Sequence, residues 1–226
     1  MNCVAVIVAG GTGKRFGDAT PKQFLELSGK PVIVRSIEAF ANNENVSSII
    51  VAVHSEWYNH AKKLIEDFKL SKVKDIVVGG ITRQDSVAAA IRTETAKNAD
   101  FILVHDAVRP LVTNDLINRI IEETEEYGAV VPGVMINDTL KEQNFKGMAI
   151  KTLEREKVRA IQTPQGFWSD TLISAFESAK NSNFQGTDDA SVVEFFGYKI
   201  KIVDGEVNNI KITDPKDIKL AEYLLS

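Results

Sequence analysis

Val4-Ala5-Val6-Ile7-Val8-Ala9-Gly10-Gly11-Thr12-Gly13-Lys14-Arg15-Phe16, running on to Pro21-Lys22-Gln23, sets the reading of the whole chain. Val4 to Val8 is an unbroken apolar run rich in β-branched residues, the pattern of a strand buried on both faces. Glycines follow at once at 10, 11 and 13. Without a Cβ the backbone turns sharply there and approaches a ligand closely. Successive N–H groups in such a turn cradle phosphate oxygens. Arg15 and Lys22 place positive charge beside the loop. A strand, a glycine turn and two cations point to a nucleoside triphosphate site. The competing reading is a tight strand-to-helix turn with solvated charges.

Two familiar glycine motifs do not fit. A P-loop needs Ser or Thr after Gly-Lys to hold Mg²⁺, and Gly13-Lys14 is followed by Arg15. A dinucleotide fingerprint wants a third glycine where this chain has Phe16. The 226 residues are 44% hydrophobic and 26% charged, which suits one large globular domain with a sizeable core. Net charge is -4 with no basic stripe, which argues against a nucleic-acid partner. Cys3 is the single cysteine, so no intrachain disulfide or zinc motif is expected. No apolar run approaches a membrane span and no signal-type leader is recognisable, so the expectation is a cytoplasmic protein with no membrane partner.

From that first strand the chain continues as an alternation. Phe24-Leu25-Glu26-Leu27 reads as a short edge strand and Val32 to Phe40 as a helix. Val46 to Val53 is a second main strand, Glu56 to Phe68 an amphipathic helix, and Val73 to Val78 a third strand. Ser86 to Thr93 reads as a helix, Phe101 to Val104 as a strand, Asn114 to Tyr127 as a helix and Ala129 to Ile136 as a strand. Such alternation implies a parallel sheet covered on both faces. It breaks at residues 137–156, where two strand-like segments flank the turn Asn144-Phe145-Lys146-Gly147. A lone hairpin is marginal in water, so it either folds back on its own domain or packs on a second subunit. Val158 to Gln162 (strand), Trp168 to Ala179 (helix), Asp189 to Phe196 (helix), Lys199 to Val203 (strand) and Pro215 to Leu225 (helix, capped by Asp214) complete the chain.

Ligands of open parallel sheets bind beyond the carboxyl ends of the strands. Polar signatures recur there. Gly79-Gly80 is followed by Arg83, Asp85 and Ser86, and the fourth main strand ends in His105-Asp106-Ala107-Val108-Arg109-Pro110. Thr163-Pro164-Gln165, Thr187-Asp188-Asp189 and Asn209-Ile210-Lys211-Ile212-Thr213 lie at further element ends. Asp106 can hold a Mg²⁺, which favours a carboxylate plus phosphate oxygens; the alternative is an ion pair with Arg109. Asp188 and Asp189 read as helix-capping residues. His105 receives no role, and neither Ser86 nor Cys3 has partners for nucleophilic catalysis.

Taken as a set, Ala9 to Phe16 with Pro21-Lys22-Gln23, His105 to Pro110, Thr163-Pro164-Gln165, Thr187-Asp188-Asp189-Ala190 and Asn209 to Thr213 resemble the 2-C-methyl-D-erythritol 4-phosphate cytidylyltransferase family, in order along residues 4–225. The resemblance implies a Rossmann-like α/β nucleotidyltransferase fold, a mostly parallel twisted sheet with helices on both faces. It implies a single domain over residues 1–226 with a projecting β-arm at about 137–156 through which the protein forms a homodimer. It also implies CMP transfer from CTP to a sugar-alcohol phosphate in non-mevalonate isoprenoid synthesis, with Mg²⁺ as cofactor. On that resemblance Ala9, Gly10, Gly11, Thr12 and Gly13 wrap the CTP phosphates, and Arg15, Lys22 and Lys211 are catalytic. Gly80 and Ser86 lie by the cytosine and ribose, and Asp106 by the ribose, phosphates and metal. Arg109, Thr163, Thr187 and Lys211 surround the acceptor phosphate, while Thr139 and Arg155 on the arm reach the neighbouring subunit's substrate. Asn208 stands where many relatives have Asp. Ribitol 5-phosphate cytidylyltransferases share most of these motifs, but Asn137 to Lys141 and Thr187 to Ser191 favour methylerythritol phosphate. A non-catalytic nucleotide-binding module is the rival of another class, opposed by the cations Arg15, Lys22 and Lys211.

Overall fold

The computed structural model describes residues 1–11 and 20–226. β1 (Cys3–Ala9) precedes a 3-10 turn at Lys22–Phe24 and a small ribbon of β2 (Glu26–Leu27) and β3 (Lys30–Pro31). α1 (Val32–Ala41), β4 (Ser48–Val53), α2 (Tyr58–Asp67), β5 (Val73–Val78), α3 (Arg83–Ala90), α4 (Glu94–Lys97), β6 (Phe101–Asp106), α5 (Asn114–Tyr127) and β7 (Ala129–Met135) follow. Next come β8 (Lys141–Gln143), β9 (Ala149–Thr152), β10 (Arg159–Ile161), β11 (Gln165–Trp168), α6 (Ser169–Ser182), α7 (Asp189–Phe195), β12 (Lys201–Asp204) and α8 (Pro215–Leu225).

Among the described residues the main sheet has eight strands in the order β10-β7-β11-β6-β1-β4-β5, with β12 also on β7. β1 lies between β4 and β6, parallel to both. All seven of its residues are buried. Because side chains alternate across a strand, Cys3, Ala5, Ile7 and Ala9 enter a core that contains Ile33, Ile37 and Phe40 of α1 and Leu116, Ile117 and Ile120 of α5. Val4, Val6 and Val8 enter a second core with Val87 of α3, Leu172 and Phe176 of α6, and Val192 and Val193 of α7. The apolar run is thus explained: no position of β1 faces water. Burying one such Val or Ile contributes roughly 1.5–3 kcal/mol.

The sheet is mostly parallel, but one strand was not foreseen. Gln165–Trp168, where the sequence reading opens a helix at Trp168 and gives the residues before it no element, forms β11, antiparallel to both β6 and β7 and wedged between them. The following helix therefore starts at Ser169, and Trp168 belongs to the strand. Gly166 permits this: a Cβ there would collide with Thr124 Oγ1 and stand 2.7 Å from Ile120 Cγ2, so the glycine lets α5 sit close on the strand. β10 runs antiparallel along the far half of β7, and the link from β10 to β11 contains a cis Thr163–Pro164 bond.

Other boundaries shift for local reasons. The helix expected from Ser86 starts at Arg83, because Thr82 and Asp85 form a capping box. Phe24 lies in the 3-10 turn rather than a strand, and the pairing that remains is β2 with β3. Ser55–Trp57 is a 3-10 turn preceding α2. Asp214 caps α8 as expected, accepting from the Lys216 N–H with Pro215 at the first helical position. The segment between β7 and β10 pairs β8 with β9 as a separate two-stranded sheet. Its strands are shorter than expected, and Phe145, Met148 and Ile150 on it are exposed.

Candidate active site

Parallel strands β1, β5 and β6 end on one side of the sheet, and the polar groups of interest gather there. Three strand ends build two connected clusters.

The first cluster is a pair of glycine turns closed on a serine. Ser86, in the first turn of α3, is 1% exposed, and its hydroxyl donates to the Thr82 carbonyl at 3.0 Å. A Cβ on Gly10, after β1, or on Gly79, after β5, would each stand 2.6 Å from Ser86 Oγ. The hydroxyl therefore fills the space that two glycines leave, between the turns after β1 and β5. Gly80 packs on Asp85 in the same way. The buried Gln23 side chain ties the glycine turn from the other side, donating to the carbonyls of Ala9 and Gly11 at 2.8 Å each. This fixes Lys22, partly buried in the 3-10 turn, beside the loop.

The second cluster surrounds Asp106, the last residue of β6. Arg83 Nε donates to Asp106 Oδ1 at 2.9 Å, and Lys211 Nζ lies 2.7 Å from Oδ2. Arg109 Nε stands 3.9 Å from Oδ2. The ion pair with Arg109 read from the sequence is thus the longest of the three, and Arg83 and Lys211 are the main partners. Burial alone would raise the Asp106 carboxyl; Arg83 and Lys211 outweigh it and hold the group well below the usual carboxylate range. Arg83 Nη2 also reaches Asp189 Oδ2 at 2.7 Å. Burial works against the Arg83 charge, and the two carboxylates overcome it, raising its pKa further. Asp188 caps α7, accepting from the Ser191 N–H. Asp189 does not act as a cap: it is a buried ion-pair partner, and its pKa is raised by burial with Arg83 opposing.

Beneath Asp106 lies a neutral relay. The Asp106 N–H donates to Thr163 Oγ1 at 3.1 Å, and Thr163 Oγ1 contacts His105 Nδ1 at 3.1 Å. His105 Nε2 sits 3.0 Å from the Arg109 carbonyl, which can only accept. Burial pushes the imidazole down to about 4, so it is neutral near pH 7, with the proton on Nε2 and Nδ1 accepting from the Thr163 hydroxyl. His105 is structural, fixing the strand-to-loop turn that presents Asp106 and Arg109. Arg109 Nη1 donates to the Asn209 carbonyl at 2.8 Å, and Asn209 Nδ2 to the Thr163 carbonyl at 2.8 Å. Arg109 Nε is buried and, among the described residues, has no hydrogen-bond partner.

The structure thus brings together Asp106, Arg109, Thr163 and Lys211, and separately Ala9, Gly10, Gly80 and Ser86. Gly11 is exposed at the edge of the turn. Thr12, Gly13 and Arg15 lie outside the described residues. Thr187 is exposed just before α7, its N–H donating to Ser191 Oγ at 2.9 Å. Thr139 and Arg155 are exposed on the hairpin stem, where Arg155 Nη1 donates to the Asn137 carbonyl at 3.2 Å. Sequence reading missed the part played by Arg83 and Asp189. Their one signal was a cation placed at the start of a helix right after Gly79-Gly80.

Asp106 is the carboxylate at the strand ends, and no group of three His, Cys, Asp or Glu residues among the described residues could hold a metal. A single carboxylate fits Mg²⁺ where substrate phosphates complete its shell, since this ion keeps waters and seldom uses an all-protein cage.

Comparison with known proteins gives the same picture. Residues 3–226 match the family model described as IspD: 2-C-methyl-D-erythritol 4-phosphate cytidylyltransferase. A protein of that name from Clostridium botulinum is 41% identical over 222 residues, 98% of each chain. One from Bacillus mycoides is 39% identical over 220 residues, 97% of this chain and 96% of the relative. Among solved structures, that of the Francisella tularensis enzyme of the same name superposes with a TM-score of 0.83 at 31% identity, covering 99% of both chains. The Thermus thermophilus enzyme gives 0.79 at 31% identity over 97% of both. With the glycine turn, the Asp106 cluster and the whole length of the chain in agreement, the chain belongs to the 2-C-methyl-D-erythritol 4-phosphate cytidylyltransferase family.

Proposed function

We propose that this protein transfers CMP from CTP to 2-C-methyl-D-erythritol 4-phosphate, giving 4-diphosphocytidyl-2-C-methyl-D-erythritol and pyrophosphate. The observation that carries the mechanism is the clasp of Arg83, Lys211 and Arg109 on Asp106, beside the glycine turn at the carboxyl ends of β1 and β6. The acceptor is a phosphate monoester with a second pKa of about 6. It is mostly dianionic near neutral pH, so its oxygen attacks the α-phosphorus without a general base. The neutral, buried His105 is consistent with that. What the reaction needs is charge neutralisation and in-line placement of attacking and leaving oxygens.

Lys22 beside the glycine turn, Lys211 and, from the sequence, Arg15 are the residues we assign to that charge, and Ala9 to Gly13 to the triphosphate. Gly80 and Ser86 would border the base and ribose. We assign Arg109, Thr163 and Thr187 to the acceptor phosphate; the buried Arg109 Nε has no hydrogen-bond partner among the described residues and stands 3.9 Å from Asp106 Oδ2. A Mg²⁺ arriving with the triphosphate would be held by Asp106 and would neutralise phosphate charge. We assign the protein to the cytoplasm as a homodimer joined through the hairpin at 137–156, whose exposed Phe145, Met148 and Ile150 offer an apolar surface for a second copy. Thr139 and Arg155 would then complete the partner's site. A ribitol 5-phosphate acceptor and a non-catalytic module are not favoured, because the relatives that match over the full length are named for methylerythritol phosphate.

Pyrophosphate release, measured with all four triphosphates against methylerythritol phosphate and ribitol 5-phosphate, tests the reading. CTP with methylerythritol phosphate should be the most efficient pair. Equal or better turnover with ribitol 5-phosphate would refute the acceptor, and equal turnover with UTP the base preference.

A further inference from the structure

We propose that Arg83 is a positioning residue of the reaction, a strut that sets the orientation of the Asp106 carboxylate by bracing it against Asp189. The proposal rests on the reaction assigned above. Arg83 occupies the first position of α3, where the helix dipole disfavours a cation. Helix formation therefore does not account for it. Its planar fork instead joins two elements: Nε to Asp106 Oδ1 at 2.9 Å and Nη2 to Asp189 Oδ2 at 2.7 Å. Both carboxylates are buried, with side chains 8% and 1% exposed.

Each end of the strut is itself anchored. The Thr82–Asp85 capping box fixes the start of α3. At the other end, Gln165 of β11 donates to Asp188 Oδ2 at 2.7 Å and accepts from the Ala190 N–H at 3.0 Å, holding the start of α7. With Arg83 fixed and Oδ1 of Asp106 engaged, Oδ2 is the oxygen left to face Lys211. Two donors at a set spacing are what guanidinium supplies; a lysine ammonium on the same stem offers one point charge and cannot span both carboxylates. The strut also links the Asp106 cluster to the α7 start beside Thr187, so nucleotide-side and acceptor-side groups share one rigid brace.

The test compares Arg83→Lys, Arg83→Gln, Asp189→Asn and the Arg83→Gln/Asp189→Asn double variant with wild type. It measures turnover, KM for CTP and for the acceptor, thermal midpoint, and CTP affinity by calorimetry. A displaced carboxylate near reacting phosphates costs up to about 100-fold. Arg83→Lys, although it keeps the charge, should lower turnover by at least about tenfold while the acceptor KM stays within about threefold. Because both residues act through one brace, Asp189→Asn should add little on the Arg83→Gln background. Turnover of Arg83→Lys within about twofold of wild type would overturn the proposal, as would effects that multiply independently in the double variant. Should the Arg83 variants fail to fold, Asp189→Asn carries the test: a fall in turnover above about threefold supports the strut and a smaller one overturns it. If wild type binds CTP but releases no pyrophosphate with either acceptor, the reaction reading fails by itself. Arg83→Lys must then weaken calorimetric CTP binding by more than about threefold for the strut to stand.

Discussion

Replacing Gly10 by alanine tests how the nucleotide side of the site is held. The new Cβ would stand 2.6 Å from Ser86 Oγ and 3.5 Å from Ser86 Cβ. Ordinary contact begins at 3.4 Å, so about 0.8 Å must be found. Ser86 cannot yield cheaply. Its hydroxyl is bonded to the Thr82 carbonyl at 3.0 Å, and Ser86 is itself buried at 1% exposure. The glycine turn after β1 must therefore move. Overpacking of this kind costs about 1–3 kcal/mol, and a shift approaching 1 Å beside the reacting phosphates costs up to roughly 100-fold in rate. Steady-state pyrophosphate release with a parallel melting curve reads both. The decisive comparison adds Ser86→Ala, which removes Oγ and leaves an unstrained 3.5 Å contact. Gly10→Ala on the Ser86→Ala background should then behave like Ser86→Ala alone. At Gly79 the same rescue should be incomplete, because Ser86 Cβ at 3.1 Å and the Val53 carbonyl at 3.4 Å remain. Wild-type kinetics for Gly10→Ala, or a double variant as slow as the product of the single effects, would refute the wedge.

Three further outcomes follow from the same geometry. Lys211→Ala should lower turnover by roughly 100- to 1000-fold with a much smaller change in CTP affinity; a raised KM at unchanged turnover would reduce Lys211 to a binding group. Between the ordinary histidine value of 6.5 and the buried value of about 4, the unfolded chain holds a proton that folded His105 does not, so stability should fall as pH drops through that window, by up to about 3 kcal/mol. Denaturant titrations of His105→Gln at pH 7 and 4.5 should show a flatter pH dependence than wild type, and an identical slope would place the effect elsewhere. Co-expressed Lys211→Ala and Arg155→Ala chains should form mixed dimers with one working site if Arg155 acts across the interface; inactive mixed dimers, verified by two tags, would place Arg155 in its own subunit's site.

What could be read from the sequence depended on whether a signal was local. β1 declared itself because a strand buried on both faces must be apolar at every position. β5, α5 and α8 were legible to the residue, since hydrophobic periodicity and, for α8, a capping residue fixed their ends. β11 was not legible. Four residues beginning with a glutamine after Pro164 carry little pattern, and what makes them a strand is pairing with β6 and β7, far away in the chain. The site shows the same division. Asp106, Arg109, Thr163 and Lys211 stood out at element ends, where irregular backbone gathers polar groups. The Arg83–Asp189 pair joins residues 106 positions apart, and no spacing rule announces a contact that only the tertiary fold creates.

The carboxylate at the centre of the cluster also explains how cations can wait together without a ligand. Arg83, Arg109 and Lys211 converge on one point, and like charges so close repel unless an anion sits among them. Asp106 is that anion in the free protein. The three differ in how firmly they are held. Arg83 is committed to two carboxylates, and Arg109 is 11% exposed and tied to the Asn209 carbonyl. Lys211 is 40% exposed, and its contact with Asp106 is a flexible ammonium on a long stem. In the proposed reaction an incoming phosphate competes with Asp106 for these cations, and Lys211 is the one that can change partner at least cost. In that proposed reaction the labour would divide: Arg83 would hold the carboxylate, Arg109 would stay tied to the loop carbonyl of Asn209, and Lys211 would swing from Asp106 to the charge that develops during transfer.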